Sequence, residues 1–187
     1  NVYDKTLDKT IASDKIMMIV KALECGIGED FDIEKLAYGK VIILTDGDPD
    51  GEHIRCLYLT LFYKFLKPLI ENGHLYIAQP PLFTIRKNPR TKKEENIYAW
   101  TREEMLSICE GLTCKYEVQR NKGLGEMNSD ELKDSTMDKD TRKLIQVTID
   151  DIIEAEKALS VCMYDKDVAN RKHFILANKP EGELDEE

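Results

Sequence analysis

Val41-Ile42-Ile43-Leu44-Thr45-Asp46-Gly47-Asp48-Pro49-Asp50-Gly51 joins an uninterrupted apolar run to a turn crowded with acids. Such a run, rich in β-branched residues, marks a strand buried on both faces, as in a parallel sheet covered by helices. Beyond the turn, Ile54, Leu57, Tyr58, Leu61, Phe62, Phe65, Leu66, Leu69 and Ile70 recur at helical spacing. His53 to Glu71 is therefore expected as one long amphipathic helix, closed by Asn72-Gly73. Leu75-Tyr76-Ile77-Ala78 follows as a strand ended by Pro80-Pro81. Strand, turn, helix and strand in this order make a βαβ unit with a right-handed crossover. The expected fold class is α/β, a Rossmann-like parallel sheet flanked by helices.

On the N-terminal side, Ser13 is an N-cap for a helix with Ile16, Met17, Ile19, Val20 and Leu23 on one face and Gly26 as its C-cap. A loop with Gly28 and several acids connects it to the strand. On the C-terminal side, Leu82–Lys87 is a further strand leading into a basic loop, Arg86 to Lys93. Thr101-Arg102-Glu103-Glu104 is a capping box for a short helix ending at Gly111, and Lys115–Gln119 is another strand. From Ser129 the pattern turns helical, with segments at Asp130–Lys133, Lys139–Leu144, Ile149–Val161 and Val168–Ala177. The expected organisation is a sheet-bearing region over 1–118, a small, mostly helical C-terminal tail subdomain over 119–178, and a disordered acidic tail over 179–187.

With 187 residues, 42% hydrophobic and 34% charged, the chain has the size and composition of one packed globular domain with an appendage. No run approaches the ~20 apolar residues of a membrane span, and Asn1–Thr10 has no signal-peptide character, so cytoplasmic residence without membrane association is expected. Cys25, Cys56, Cys109, Cys114 and Cys162 lack the spacing of a zinc site and read as reduced thiols. The net charge of −9 argues at first against nucleic acid, whose binding is driven largely by Lys and Arg. However, five acids (Glu181, Glu183, Asp185, Glu186, Glu187) lie in the last seven residues, and without them the charge is −4. Four more acids fall within Asp46–Glu52. Local sign thus differs from global sign.

In an extended chain, Asp46, Asp48 and Asp50 project to one side at the carboxyl end of the strand, where open α/β sheets hold their ligands. Crowded carboxylates call for a hard cation, and Mg2+ commonly takes one or two of them together with waters and phosphate oxygens. This pattern indicates a divalent-metal site acting on a phosphate. A solvated turn is the bland alternative, since Asp, Gly and Pro are ordinary turn residues. An EF-hand loop is excluded because Leu57 stands where its bidentate glutamate belongs and a strand precedes the motif. A phosphoaspartyl phosphatase remains open. His53 is a candidate general acid/base or phosphate contact, and Arg55 a partner of the acids or of phosphate.

Leu44 to Arg55 resembles the acidic motif of the TOPRIM fold in bacterial type IIA DNA topoisomerases. The resemblance extends in order along nearly the whole chain. Asn1-Val2 is similar to the end of a K-I-L-N-V segment, Gly26 to Leu36 to the loop before the acidic strand, and Ile70 to Pro81 to the strand after it. Arg120-Asn121-Lys122-Gly123-Leu124-Gly125-Glu126-Met127 resembles the family's R-Y-K-G-L-G-E-M. Thr136-Met137-Asp138, Leu144 to Ile149 and Arg171 to Ile175 follow in the expected places. The chain is thereby identified as resembling the C-terminal TOPRIM and tail region of the B-type subunits of gyrase and topoisomerase IV.

The resemblance implies that Asp46 and Asp48 are Mg2+ ligands with Asp50 in the same cluster, Mn2+ or Ca2+ substituting. It also implies that Asn1, Arg120 and Lys122 contact DNA, with Lys122, Arg120 and His53 supporting catalysis. The implied reaction is transesterification: a tyrosine of a partner A-type subunit attacks duplex DNA within a heterotetramer of two A-type and two B-type subunits. ATP is implied only for a further domain of the parent protein. The family's TOPRIM module begins with a glutamate and strand expected upstream of Asn1, so the fragment is expected to be inactive alone. A non-catalytic module that docks DNA and the A-type subunit is the alternative. Two departures stand out. Gly47 and Pro49 occupy spacer positions that are usually small or apolar, and Asn121 replaces the usual aromatic before Lys122. On the bland reading, Lys122–Gly125 is a connecting loop whose glycines serve positive φ.

Overall fold

The computed structural model describes residues 1–178. Helix α1 (Leu7–Ile11), which no sequence signal foretells, precedes α2 (Asp14–Leu23). The left-handed residue that ends α2 is Glu24, at φ 62°, rather than Gly26. Strand β1 (Val41–Ile43) runs into the acidic turn and then into α3 (Pro49–Phe65). The expected long helix breaks at Leu66, and α4 (Lys67–Glu71) follows as a separate turn. Pro68 accounts for the break, because its ring collides with the carbonyl one turn earlier and it has no N–H to donate. Strand β2 (Leu75–Gln79) then lies parallel to β1, with Ile42 opposite Tyr76, which completes the βαβ unit.

A second sheet follows, built from β3 (Phe83–Lys87), β4 (Glu95–Ala99) and β5 (Tyr116–Arg120), with β3 in the centre and antiparallel to both neighbours. Of the basic stretch only Arg86 and Lys87 belong to a strand, and β4 is a strand that the sequence reading does not include. Helix α5 (Arg102–Glu110) crosses between β4 and β5. Its capping box is offset by one residue: Thr101 Oγ1 accepts the Glu104 N–H at 3.1 Å, but Glu104 returns to the Trp100 N–H at 2.7 Å.

The tail is helical in α6 (Ser129–Leu132), α7 (Ile152–Met163) and α8 (Val168–Ala177). Residues 133–137 widen into a π-type turn, where Ser135 and Thr136 hydroxyls donate back to the Glu131 and Leu132 carbonyls. The helix expected at Lys139–Leu144 is instead a turn and strand β6 (Lys143–Gln146), antiparallel to β2. The outer edge of β2 offers ladder partners that a short polar helix could not match. The first sheet is thus mixed, in the order β1, β2, β6. Its core is Leu23, Cys25, Ile43, Phe62, Leu66, Leu69, Ile70 and Leu75, so α2, α3 and α4 cover one face. The acidic tail expected over 179–187 lies outside the described residues.

Candidate metal and nucleic-acid site

The acidic turn has its shape because two helix-start signals sit inside it. Asp48 is the N-cap of α3, its Oδ1 accepting the Gly51 N–H at 2.7 Å, and Pro49 takes the first helical position, where its fixed φ suits and its missing N–H is no loss. Asp48 itself is extended, at φ −107° and ψ 172°, but the chain bends at Gly47 and Asp48, so the three acids do not form one extended row. Asp50 lies in the first helical turn, exposed, and does not continue the line of the other two. No group of three or more His, Cys, Asp or Glu side chains is gathered for a metal ion among the described residues. Gly51 is buried because the turn folds back on itself: a Cβ there would stand 2.2 Å from the Asp46 carbonyl oxygen.

Asp46 is half-buried, and its Oδ1 accepts the Leu124 N–H at 2.6 Å, a contact between residues 78 apart in sequence. This bond docks the glycine-bearing loop onto the acidic turn. Both Asp46 and Asp48 commit Oδ1 to a backbone N–H, which leaves each Oδ2 clear of hydrogen bonds among the described residues. Hard, half-buried oxygen donors suit Mg2+, and two carboxylates are the number such a site commonly uses. The donor chemistry of Asp46 and Asp48 fits the ion; Asp50 contributes charge nearby.

Arg120 ends β5 and is exposed, as is Lys122, whose backbone N–H donates to Glu126 Oε2 at 2.9 Å. Gly123 has φ −147°, so positive φ is not what this glycine supplies. Asn121, only 8% exposed, anchors the loop: its N–H donates to the Leu82 carbonyl at 2.8 Å, and its Nδ2 to the Pro81 carbonyl at 3.1 Å and Thr84 Oγ1 at 2.9 Å. A small pocket between Gly47, Pro81, Asn121 and Leu124 separates the two loops. Sequence reasoning missed this anchoring role because every partner lies about forty residues away and none is signalled locally.

His53 is exposed on the early part of α3 and makes no side-chain hydrogen bond among the described residues. Arg55 pairs with Glu52 at 2.9 Å and reaches Thr45 Oγ1 at 3.5 Å, while its buried Nε has no partner among the described residues. Asn1 stands elsewhere. Its Nδ2 donates to the Met163 carbonyl at 2.6 Å at the end of α7, and the following segment is held by Lys64 Nζ on the carbonyls of Val2, Tyr3 and Lys5.

Family models match both halves of the chain: the Toprim domain over residues 5–80, and the carboxyl terminus of the DNA gyrase B subunit over residues 113–176. The DNA gyrase B subunit of Archaeoglobus fulgidus is 45% identical over 97% of the chain, and that of Thermotoga maritima 45% over 94%. The DNA topoisomerase 4 B subunit of Streptococcus pneumoniae is 45% identical over 90%. The chain belongs to the gyrase B and topoisomerase IV B subunit family. It spans 28%, 27% and 26% of the length of these three relatives, and so corresponds to about a quarter of a family member. The two matched segments meet at the bond between Asp46 and Leu124. No helix among the described residues is long and apolar enough to cross a membrane.

Proposed function

We propose that the chain is the Mg2+-binding part of a type II DNA topoisomerase. With an A-type subunit, and with ATP used by a further domain of the parent protein, that enzyme breaks and rejoins double-stranded DNA in the cytoplasm to change its topology. The observation that carries this reading is the Asp46 to Leu124 bond, which sets free carboxylate oxygens beside a loop bearing Lys122 and Arg120. Asp46 and Asp48 would hold the ion through their Oδ2 atoms, with Asp50 adding negative charge. When bound, the ion stabilises charge on the phosphate and on the leaving 3′-oxygen. Lys122 and Arg120 neutralise and orient the DNA backbone, and exposed His53 is within the same end of the molecule as a proton donor or phosphate contact. The nucleophile is a tyrosine of the A-type subunit, in an assembly of two subunits of each type. Asn1, bonded to the Met163 carbonyl, would reach DNA only through its remaining donor capacity or by letting go. On this reading 1–118 is the metal-binding region and 119–178 the tail.

One edge of β1 is unpaired among the described residues and opens on an apolar groove lined by Ile19, Ile42, Leu44, Tyr58 and Phe62. A strand apolar on both faces is built for a central place, which supports a further strand, with its own carboxylate, joining there in the parent. Calorimetric titration of Mg2+ into this chain and into one extended upstream tests this: tighter binding by the longer chain is expected, and equal affinity overturns it. In the intact B-type subunit, paired with its A-type subunit, Asp46→Asn is expected to abolish DNA cleavage. Undiminished cleavage overturns the metal role. Turnover of p-nitrophenyl phosphate by this chain, lost in Asp46→Asn, would point to a phosphatase instead.

A further inference from the structure

A cationic, tyrosine-bearing groove lies on the open face of the first sheet, at the opposite end of β1 from the acidic turn. Ile42, Tyr76 and Leu144 share this face through the pairings of Ile42 with Tyr76 and Ala78 with Leu144, while Ile43 and Leu75 point into the helix-covered core. Together with Tyr38, Lys40, Lys139 and Arg142 they wall a groove of about 890 Å3. Lys40 Nζ sits 4.2 Å from the centre of the Tyr76 ring, and Tyr38 is 54% exposed. Lys40, Lys139 and Arg142 are each without a carboxylate in ion-pair range among the described residues, where seven other cations are paired. Among the described residues the Arg142 side chain reaches only the Met137 carbonyl, at 3.4 Å. In a chain of net charge −9, Lys40, Lys139 and Arg142 gather around two tyrosine rings, three cations against the Asp138 and Asp140 that flank Lys139 in sequence, and this cationic excess is what a polyanion would meet.

We infer that this groove binds a single-stranded segment of nucleic acid, Lys40, Lys139 and Arg142 tracking the phosphates while a base stacks on Tyr38. The rings decide between nucleic-acid forms. A duplex keeps its bases stacked on one another and would leave the Tyr38 face unused, whereas an unpaired base gains from any aromatic platform. Lys40 and Asp46 are six residues apart along an extended segment, about 20 Å at 3.3 Å per residue. The groove is therefore a site separate from the metal and cleavage site, and its occupancy does not depend on Mg2+.

Fluorescence anisotropy of a labelled oligothymidylate with the full chain in EDTA tests the inference, with a duplex of the same length and inorganic polyphosphate as competitors. The oligothymidylate is expected to bind with a log K against log salt slope of about −2, from about 0.7 per phosphate contact. Tyr38→Ala is expected to weaken it about tenfold, Tyr38→Phe little, and the joint Lys40→Ala, Lys139→Ala, Arg142→Ala variant to remove it, each with an unchanged circular dichroism spectrum. Equal competition by the duplex or by polyphosphate, or full binding by Tyr38→Ala, overturns the inference. Asp46→Asn is expected to bind the oligonucleotide normally, so loss of the metal reading would leave this one standing.

Discussion

Two carboxylate assemblies in this molecule are bonded in opposite ways. Glu131, 2% exposed, accepts Arg86 Nη2 at 2.9 Å and Asn96 Nδ2 at 3.3 Å on Oε1, and the Asn128 N–H at 3.0 Å on Oε2. Every oxygen is occupied, and the bonds tie α6 to β3 and β4. Asp46 and Asp48 each give one oxygen to the backbone and keep the other. Glu131 has both carboxylate oxygens filled by the chain, whereas Asp46 and Asp48, the proposed metal ligands, are each fixed through one oxygen. The local sequence does not announce the difference: both sit among other acids near a helix start.

The sharpest contrast comes from removing each carboxylate. Glu131→Ala leaves the mostly buried Arg86 guanidinium without its carboxylate and removes the capping contact at the start of α6, and about 3 kcal/mol of stability is expected to go, measured as a lower urea midpoint. Asp46→Asn keeps an acceptor for the Leu124 N–H, so the midpoint is expected to move by less than about 1 kcal/mol while Mg2+ binding is lost. If Asp46→Asn unfolds the chain as readily as Glu131→Ala, the acidic turn is structural and the distinction collapses.

Gly51→Ala is expected to rank next. Its new methyl would meet the Asp46 carbonyl at 2.2 Å, which backbone atoms relieve only by shifting. An overpacking cost of about 2 kcal/mol is expected in denaturant unfolding, with Asp46 displaced and Mg2+ affinity lowered. Asp48→Ala removes the cap of α3 and is expected to cost about 1 kcal/mol, while Asp48→Asn restores the cap but not the charge. A metal affinity that follows charge, and a stability that follows the cap, would separate the two jobs of that one side chain.

The βαβ unit was legible because its signals are local: a β-branched run, a helical period, and a Pro-Pro stop. The helix start at Pro49 was equally local, since Asp followed by Pro is an N-cap and first-turn pair, but treating the acids as an extended row hid it. β4 and β6 were not legible, because neither strand stands by period alone; each is fixed by the edge it covers, Phe83–Lys87 in one case and Leu75–Gln79 in the other. The docking of Leu124 on Asp46 and of Asn121 on Pro81 depends on groups 78 and 40 residues away, which no composition or spacing reports. The resemblance to the topoisomerase B-type subunits implied a common place for both loops, and the structure docks Leu124 on Asp46.

The weakest effect belongs to Glu104, a third kind of acid, which neither fills all its acceptors in the core nor keeps one for a ligand. The Trp100 backbone N–H, bonded to its carboxylate, holds the Glu104 carboxyl below the ordinary value of 4.5, and Lys143 adds to this in the same direction. A carboxyl depressed in the folded state stabilises fully above its unfolded value and loses that contribution as pH falls through the folded one. Wild type and Glu104→Gln are therefore expected to differ in thermal midpoint slightly at neutral pH and to converge below pH 4.5. More than a third of the side chain is open to solvent, so screening keeps the difference small. A gap that widens on acidification would mean that the Trp100 N–H does not favour the charged form, and that the start of α5 is held by Thr101 alone.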